Sequence, residues 1–295
     1  MAFRIKAKEA VEDSLKRIAT EQVDKAIAEI DDKKLNRDEA VHQVRKRCKK
    51  IRALLRLVRP ALGKRFSPEN GFFRDTAREV AGLRDALIQI ETLDALVADA
   101  KERARIASVR KRLVAAYKRT ARDQAAHHER LAHVRRRLGE ARQRIADWTL
   151  EASDFDAVRG GLLKTYARGR KAMRRAYKTS DPKAFHQWRK RVKYHRYQLQ
   201  LLRDSWPPVH RAFLMELKTL SDLLGDEHDL TVFHDALRDH PDDFGSGKAI
   251  QTLTRMIERR RAKLRAEAGP LGERIHAEAP KRLLQRQREY WAVWR

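Results

Sequence analysis

Apolar side chains return every third or fourth position between residues 41 and 59, at Val44, Cys48, Ile51, Leu55 and Val58. At 100° per residue they share one face of a helix. The opposite face carries His42, Arg45, Lys46, Lys49, Arg52 and Arg56. The division recurs further along, where Trp188, Val192, His195, Leu199 and Leu202 oppose His186, Arg189, Lys190, Lys193 and Arg196. The segment before it repeats the arrangement, with Leu162, Tyr166, Met173 and Tyr177 against Lys164, Arg168, Lys171, Arg175 and Lys178. The same period predicts helices over 9–30, 38–62, 68–98 and 100–146, then over 154–179, 183–204, 208–240 with a break near Gly225, 247–266 and 270–292. Pro60 with Gly63, Ser67-Pro68 and Pro207-Pro208 supply stop and start signals. With short loops between amphipathic helices, the expectation is an all-α protein of antiparallel bundles.

A repeat underlies the pattern. A shift of 144 residues places His42 on His186, Gln43 on Gln187, Arg45 on Arg189, Lys46 on Lys190, Arg47 on Arg191, Lys49 on Lys193 and Arg52 on Arg196. Leu55, Leu57 and Arg59 continue onto Leu199, Leu201 and Arg203, ten identities in the 22 positions from 41 to 62. Asp85 falls on Asp229 under the same shift, so the register survives a loop and a further helix. Two related halves are expected, 1–150 and 151–295, joined by a pseudo-two-fold relation.

Composition sharpens this. Only 12 Gly and 8 Pro occur in 295 residues and 37% of the chain is charged, which favours helix nearly throughout. The net charge of +27 resists compaction by self-repulsion and attracts polyanions. Cys48 is the single cysteine, the N-terminal residues scatter charge where a secretion signal needs an apolar block, and no run reaches the roughly 20 apolar residues of a membrane span. A cytoplasmic protein is expected.

The basic faces differ from ordinary solvated ones. Exposed helix faces usually mix signs, because opposite charges four apart gain about 0.2–0.5 kcal/mol and like charges cost a similar amount. Residues 40 to 68 hold ten Lys or Arg and no acid, and 157 to 203 hold fifteen with Asp181 alone opposing them. Cations four apart rise about 6 Å along the axis, a ladder that matches a repeating anion better than a single phosphate. His42 and His186 stand one turn before these cations, where an imidazole can donate to phosphate.

The duplicated H-x-x-R-K-x-x-K, followed by VAGLRDALI in one half and LLGDEHDLTVF in the other, resembles the CHAD family, named for conserved histidines in an α-helical domain. The resemblance implies two four-helix bundles with basic side chains lining a groove or pore that binds inorganic polyphosphate. It points to His42, Arg45, Lys46, Lys49, His186, Arg189, Lys190 and Lys193, and YARGRKAMRRAY adds Lys164, Arg168, Lys171 and Arg175. The wheel adds Arg52, Arg56 and Arg196. Arg84-Asp85 faces His228-Asp229 across the repeat, and the opening helix holds Lys16 but also Glu21 and Asp24, so the two halves are not equivalent. No E-x-E-x-K strand of the triphosphate-cleaving CYTH barrel that some family members carry occurs, and a stand-alone member is expected.

Other chemistries fit less well. Asp226, Glu227, His228 and Asp229 form a candidate metal cluster, but a capping or pairing role suits them better, and no cofactor is expected. Cys48 reads as a core residue, no Gly-rich phosphate loop or H-E-x-x-H occurs, and His127, His128 and His133 lie in a charged helix, so no catalytic set is assembled. Nucleic acid, bound without sequence preference, is the alternative partner. Single-strand readers interleave aromatic platforms, whereas these faces hold Tyr197 alone near their centre. A granule-surface or scaffold protein is a third class, for which polyphosphate binding would be the targeting device.

Overall fold

A computed structural model of the chain describes residues 3–80, 82–97, 100–122, 124–245 and 247–295, with the backbone alone for 82–85, 100–102, 120–122, 124 and 125. The described residues form helices and contain no strand. In order these are α1 (Val11–Asp31), α2 (Arg37–Leu57), α3 (Phe66–Glu79), α4 (Gly82–Leu96), α5 (Ala100–Arg122), α6 (Gln124–Ala146), α7 (Asp154–Thr179), α8 (Pro182–Leu202), α9 (Pro207–Asp239), α10 (Gly247–Ile275) and α11 (Pro280–Trp294).

The two helices that carry the repeat start on different caps. At α2, Asn36 and Glu39 exchange side-chain and backbone hydrogen bonds in a capping box. At α8, Asp181 accepts from the Lys183 amide at 2.9 Å and Pro182 occupies the first turn, while Ser180, in the left-handed region, closes α7. The one acid within the basic stretch 157–203 is thus engaged with backbone.

Helices α1, α2, α3 and α6 pack around a first core, which also takes Leu162 and Tyr166 of α7, Leu201 and Leu202 of α8, and Leu283 and Trp291 of α11. A second core joins Met173 and Ala176 of α7, Trp188 and Val192 of α8, Leu217 and Leu224 of α9, and Ala268 and Ile275 of α10. A third joins Ile90 and Leu93 of α4, Ile106, Val109 and Leu113 of α5, Leu230 and Phe233 of α9, and Leu253 and Ile257 of α10. Each buried Val, Leu, Ile, Phe or Met side chain among these contributes about 1.5–3 kcal/mol.

Several predicted boundaries move, for physical reasons. The expected helix 100–146 is two, because α5 buries its stripe in the third core while Val134, Leu138 and Ile145 of α6 belong to the first. The break expected near Gly225 is absent, and α9 runs unbroken for 33 residues. One glycine costs about 1 kcal/mol in a helix, and apolar packing on both sides of it outweighs that. The repeat-related segment of the first half divides instead, into α3 and α4. Helix α2 ends at Leu57, five residues early, where α7 crosses it so closely that a Cβ on Gly161 would lie 1.9 Å from the Leu57 carbonyl oxygen. Helix α10 continues through Pro270, where two helices were expected. Tyr177 donates its hydroxyl to the Arg265 carbonyl at 2.7 Å, just over a turn earlier, and Gly269 and Gly272 lie close against Tyr177 and Trp188.

Candidate functional site

Helices α2 and α8 pack on one another, each turning its apolar stripe inward: Val44, Cys48, Ile51, Leu55, Trp188 and Val192 are fully buried. The Cys48 thiol, pushed up to about 12 by burial, is an inert core group, as its place on the stripe indicated. A cavity of about 500 Å³ opens between α2, α4, α8 and α9. Helix α2 lines it with His42, Arg45 and Lys49, and α8 with Arg189 and Lys193. Arg260 of α10 adds a cation, while Glu91 of α4 and Asp226, His228 and Asp229 of α9 complete the wall. Gly225 lies beside Arg189, and a Cβ there would stand 3.9 Å from its guanidinium nitrogens, an ordinary contact. The Arg189 Nε is buried with no hydrogen-bond partner among the described residues.

The charges in this cavity are held against their preference. Burial, and then Arg189 and Lys49, bring Lys193 down to about 7, although Asp229 and Asp222 pull the other way. Burial also raises the Asp226 carboxyl, with Asp229 beside it. His186 meets His228 with 3.1 Å between their Nδ1 atoms and 4.0 Å between ring centres. Burial, then Lys190, Arg189 and Lys193, hold His186 near 4. Burial, then His186 itself, hold His228 near 3. At neutral pH both imidazoles are therefore uncharged, and one donates its N–H to the other.

A second group of cations forms a seam between α2, α7 and α8. Lys190 is lowered by burial and then by Arg191, Arg52 and Arg56. Arg56, brought down to about 10 by burial and by Arg52, Arg191 and Arg59, lies over the Tyr194 ring at 4.2 Å and donates to the Arg52 carbonyl at 2.9 Å. Asn70 of α3 accepts from Arg52 and Arg56. Arg59 lowers Lys164 more than burial or Arg168 does. Lys164, Arg168, Lys171 and Arg175 follow as an exposed strip along α7, none with an ion-pair partner among the described residues.

Fifteen side chains were singled out from sequence. His42, Arg45, Lys49, Arg189 and Lys193 meet at the cavity, His186 reaches it through His228, and Arg52, Arg56 and Lys190 meet in the seam. Lys46 does not line the cavity and contacts Gln43 at 3.3 Å. Arg196 lines a different cavity, with Arg203 and Arg211. Tyr197 is not at the centre of the basic face but packs edge-on to Phe3 against the first core; the aromatic ring under the cations is Tyr194. Arg191, Arg260 and Tyr194 escaped the sequence reading. Arg191 alone carried a signal, as the repeat mate of Arg47, yet Arg47 itself is tied to Glu29.

The other acids singled out from sequence are paired. Glu227, 2% exposed, pairs with Arg261 and Arg265, at 3.3 and 2.6 Å. Lys16 pairs with Glu12, Glu21 with Arg17 and Asp24 with Arg142. His133 approaches Glu79 at 3.5 Å. The side chains of Arg84 and Asp85 lie outside the described residues. Among the described residues no cluster of His, Cys, Asp and Glu could hold a metal ion, and no helix is long and apolar enough to cross a membrane.

The CHAD domain family matches residues 17–238. The fold is similar to the crystal structure of the CHAD domain from the plant Ricinus communis, with a TM-score of 0.68 and 18% identity over 95% of this chain and 96% of that one. No curated protein matches the sequence. The chain belongs to the CHAD domain family.

Proposed function

We propose that this protein binds inorganic polyphosphate, and that it does so through the α2–α8 cavity and the seam beside it. The supporting observation is that equivalent positions of the two repeats line one cavity: Arg45 with Arg189, and Lys49 with Lys193. Duplication then has a use, since two copies face one anionic chain from both sides. From the cavity the chain follows Arg52, Lys190, Arg56 and Arg191 to Lys164, Arg168, Lys171 and Arg175. Phosphate oxygens take up donors that have no partner among the described residues, such as the Arg189 Nε. The acids on the α4 and α9 walls confine the anion to the α2–α8 side. The protein holds the polymer without cleaving it, and this binding would attach it to polyphosphate granules.

The test is calorimetry of Lys49→Glu with Lys193→Glu against polyphosphate, in competition with single-stranded RNA of matched charge. The double variant should keep its helix content and lose at least about tenfold in affinity, from two charge-assisted contacts of about 1.5–3 kcal/mol each. Unchanged affinity refutes the site. Displacement of polyphosphate by RNA at equal charge makes the protein a general polyanion binder.

A further inference from the structure

A second cavity, of about 480 Å³, lies at the other end of the same helix face. Arg196 and Gln200 of α8, with Arg203 just past its end, line it, facing Arg211 and Lys218 of α9, with Arg4 from the N-terminal segment. On the wheel, Arg196, Gln200 and Arg203 fall within about 40° of Arg189, so one strip of α8 serves both cavities. They differ in position along the axis: Arg189 and Arg203 are separated by about 21 Å of rise. Helix α9 flanks both, with Asp226 to Val232 at the first and Pro207 to Lys218 at the second.

Charge separates the two cavities. In the second, Asp204 is the one acid on the wall among the described residues, already held by Arg4 at 2.8 Å and approached by Arg203 at 3.5 Å. Lys218 is held by Asp222 at 2.7 Å. Neither Arg196 nor Arg211 has an ion-pair partner among the described residues. Two open guanidinium groups thus face a cavity that also receives the start of α9, whose first turn carries no acidic side chain. Leu214 and Met215 form its apolar rim, Met215 being 65% exposed.

We propose that this cavity is a second anion site, which takes a later segment of the same polyphosphate chain that occupies the first. It rests on the polyphosphate reading above, and adds that α8 and α9 form a track with two holding points. Short chains then fill the two points separately, and long chains span both.

Calorimetry of Arg196→Glu with Arg211→Glu tests this. Wild type should bind two tripolyphosphates per chain and the variant one. For long-chain polyphosphate the variant should lose at least about tenfold, because attachment at a second point multiplies affinity. Arg211→Glu with Lys218→Gln, both exposed positions, should show the same loss with no effect on packing. Equal stoichiometry and equal long-chain affinity in wild type and variants overturn the second site and leave the first. Absence of polyphosphate binding by wild type at any length overturns both.

Discussion

Lys193→Met separates the cost of the cavity to the fold from its benefit to binding. A free lysine titrates near 10.4, and each pH unit of difference corresponds to about 1.36 kcal/mol. Bringing Lys193 down to about 7 therefore implies up to about 5 kcal/mol of strain at neutral pH. Relaxation and water in an open cavity reduce this, and a measured gain of about 1–2 kcal/mol is expected on replacing the ammonium while keeping the apolar stem. For a chain of this size that is a rise of about 2–4 °C in melting temperature. Between pH 7 and about 10 the unfolded chain holds a proton that the folded one has lost, so wild-type stability rises with pH across that window. The advantage of the variant should shrink accordingly and nearly vanish at the upper end. Polyphosphate affinity should fall by about tenfold or more, since a charge-assisted contact is worth about 1.5–3 kcal/mol. Urea titrations at several pH values and calorimetry read both effects. A variant less stable than wild type at pH 7, or one whose difference is constant from pH 7 to 10, refutes the argument.

The imidazole pair makes a separate claim. Because a bound polyanion raises the depressed values of His186 and His228, affinity should tighten as pH falls from about 6.5 towards 4. His186→Gln with His228→Gln should flatten that response in calorimetric titrations at pH 7.5 and 5, and a response as steep as that of wild type removes the pair from binding. Gly161→Ala should destabilise by more than about 3 kcal/mol, because its Cβ meets backbone carbonyls that cannot swing aside. Gly139→Ala, which meets nothing within 4 Å, should stabilise by up to about 1 kcal/mol; chemical denaturation compares the two.

The hydrophobic period and the repeat were enough to determine an all-α chain, the stripes that enter the cores and the faces that carry the cations. Val44, Cys48, Ile51 and Leu55 are buried, and the residues opposite them are not, because helix geometry alone converts spacing into a face. Periodicity says nothing about the neighbour that a face meets. It could not divide 100–146, since α5 and α6 continue one apolar rhythm while entering different cores. It placed a break at Gly225, where the cost of one glycine is smaller than the packing on either side. It set Arg196 beside Arg189, because a wheel projects away the 10 Å of axial rise that puts them in different cavities. The meeting of His186 with His228 arises from α9 lying across α8, a contact between segments more than thirty residues apart, and the depressed Lys193 from its burial beside Arg189 and beside Lys49 of α2. Sequence sets which charges a helix presents; tertiary structure sets which of them are forced together, because only packing brings separate helices within reach of one another.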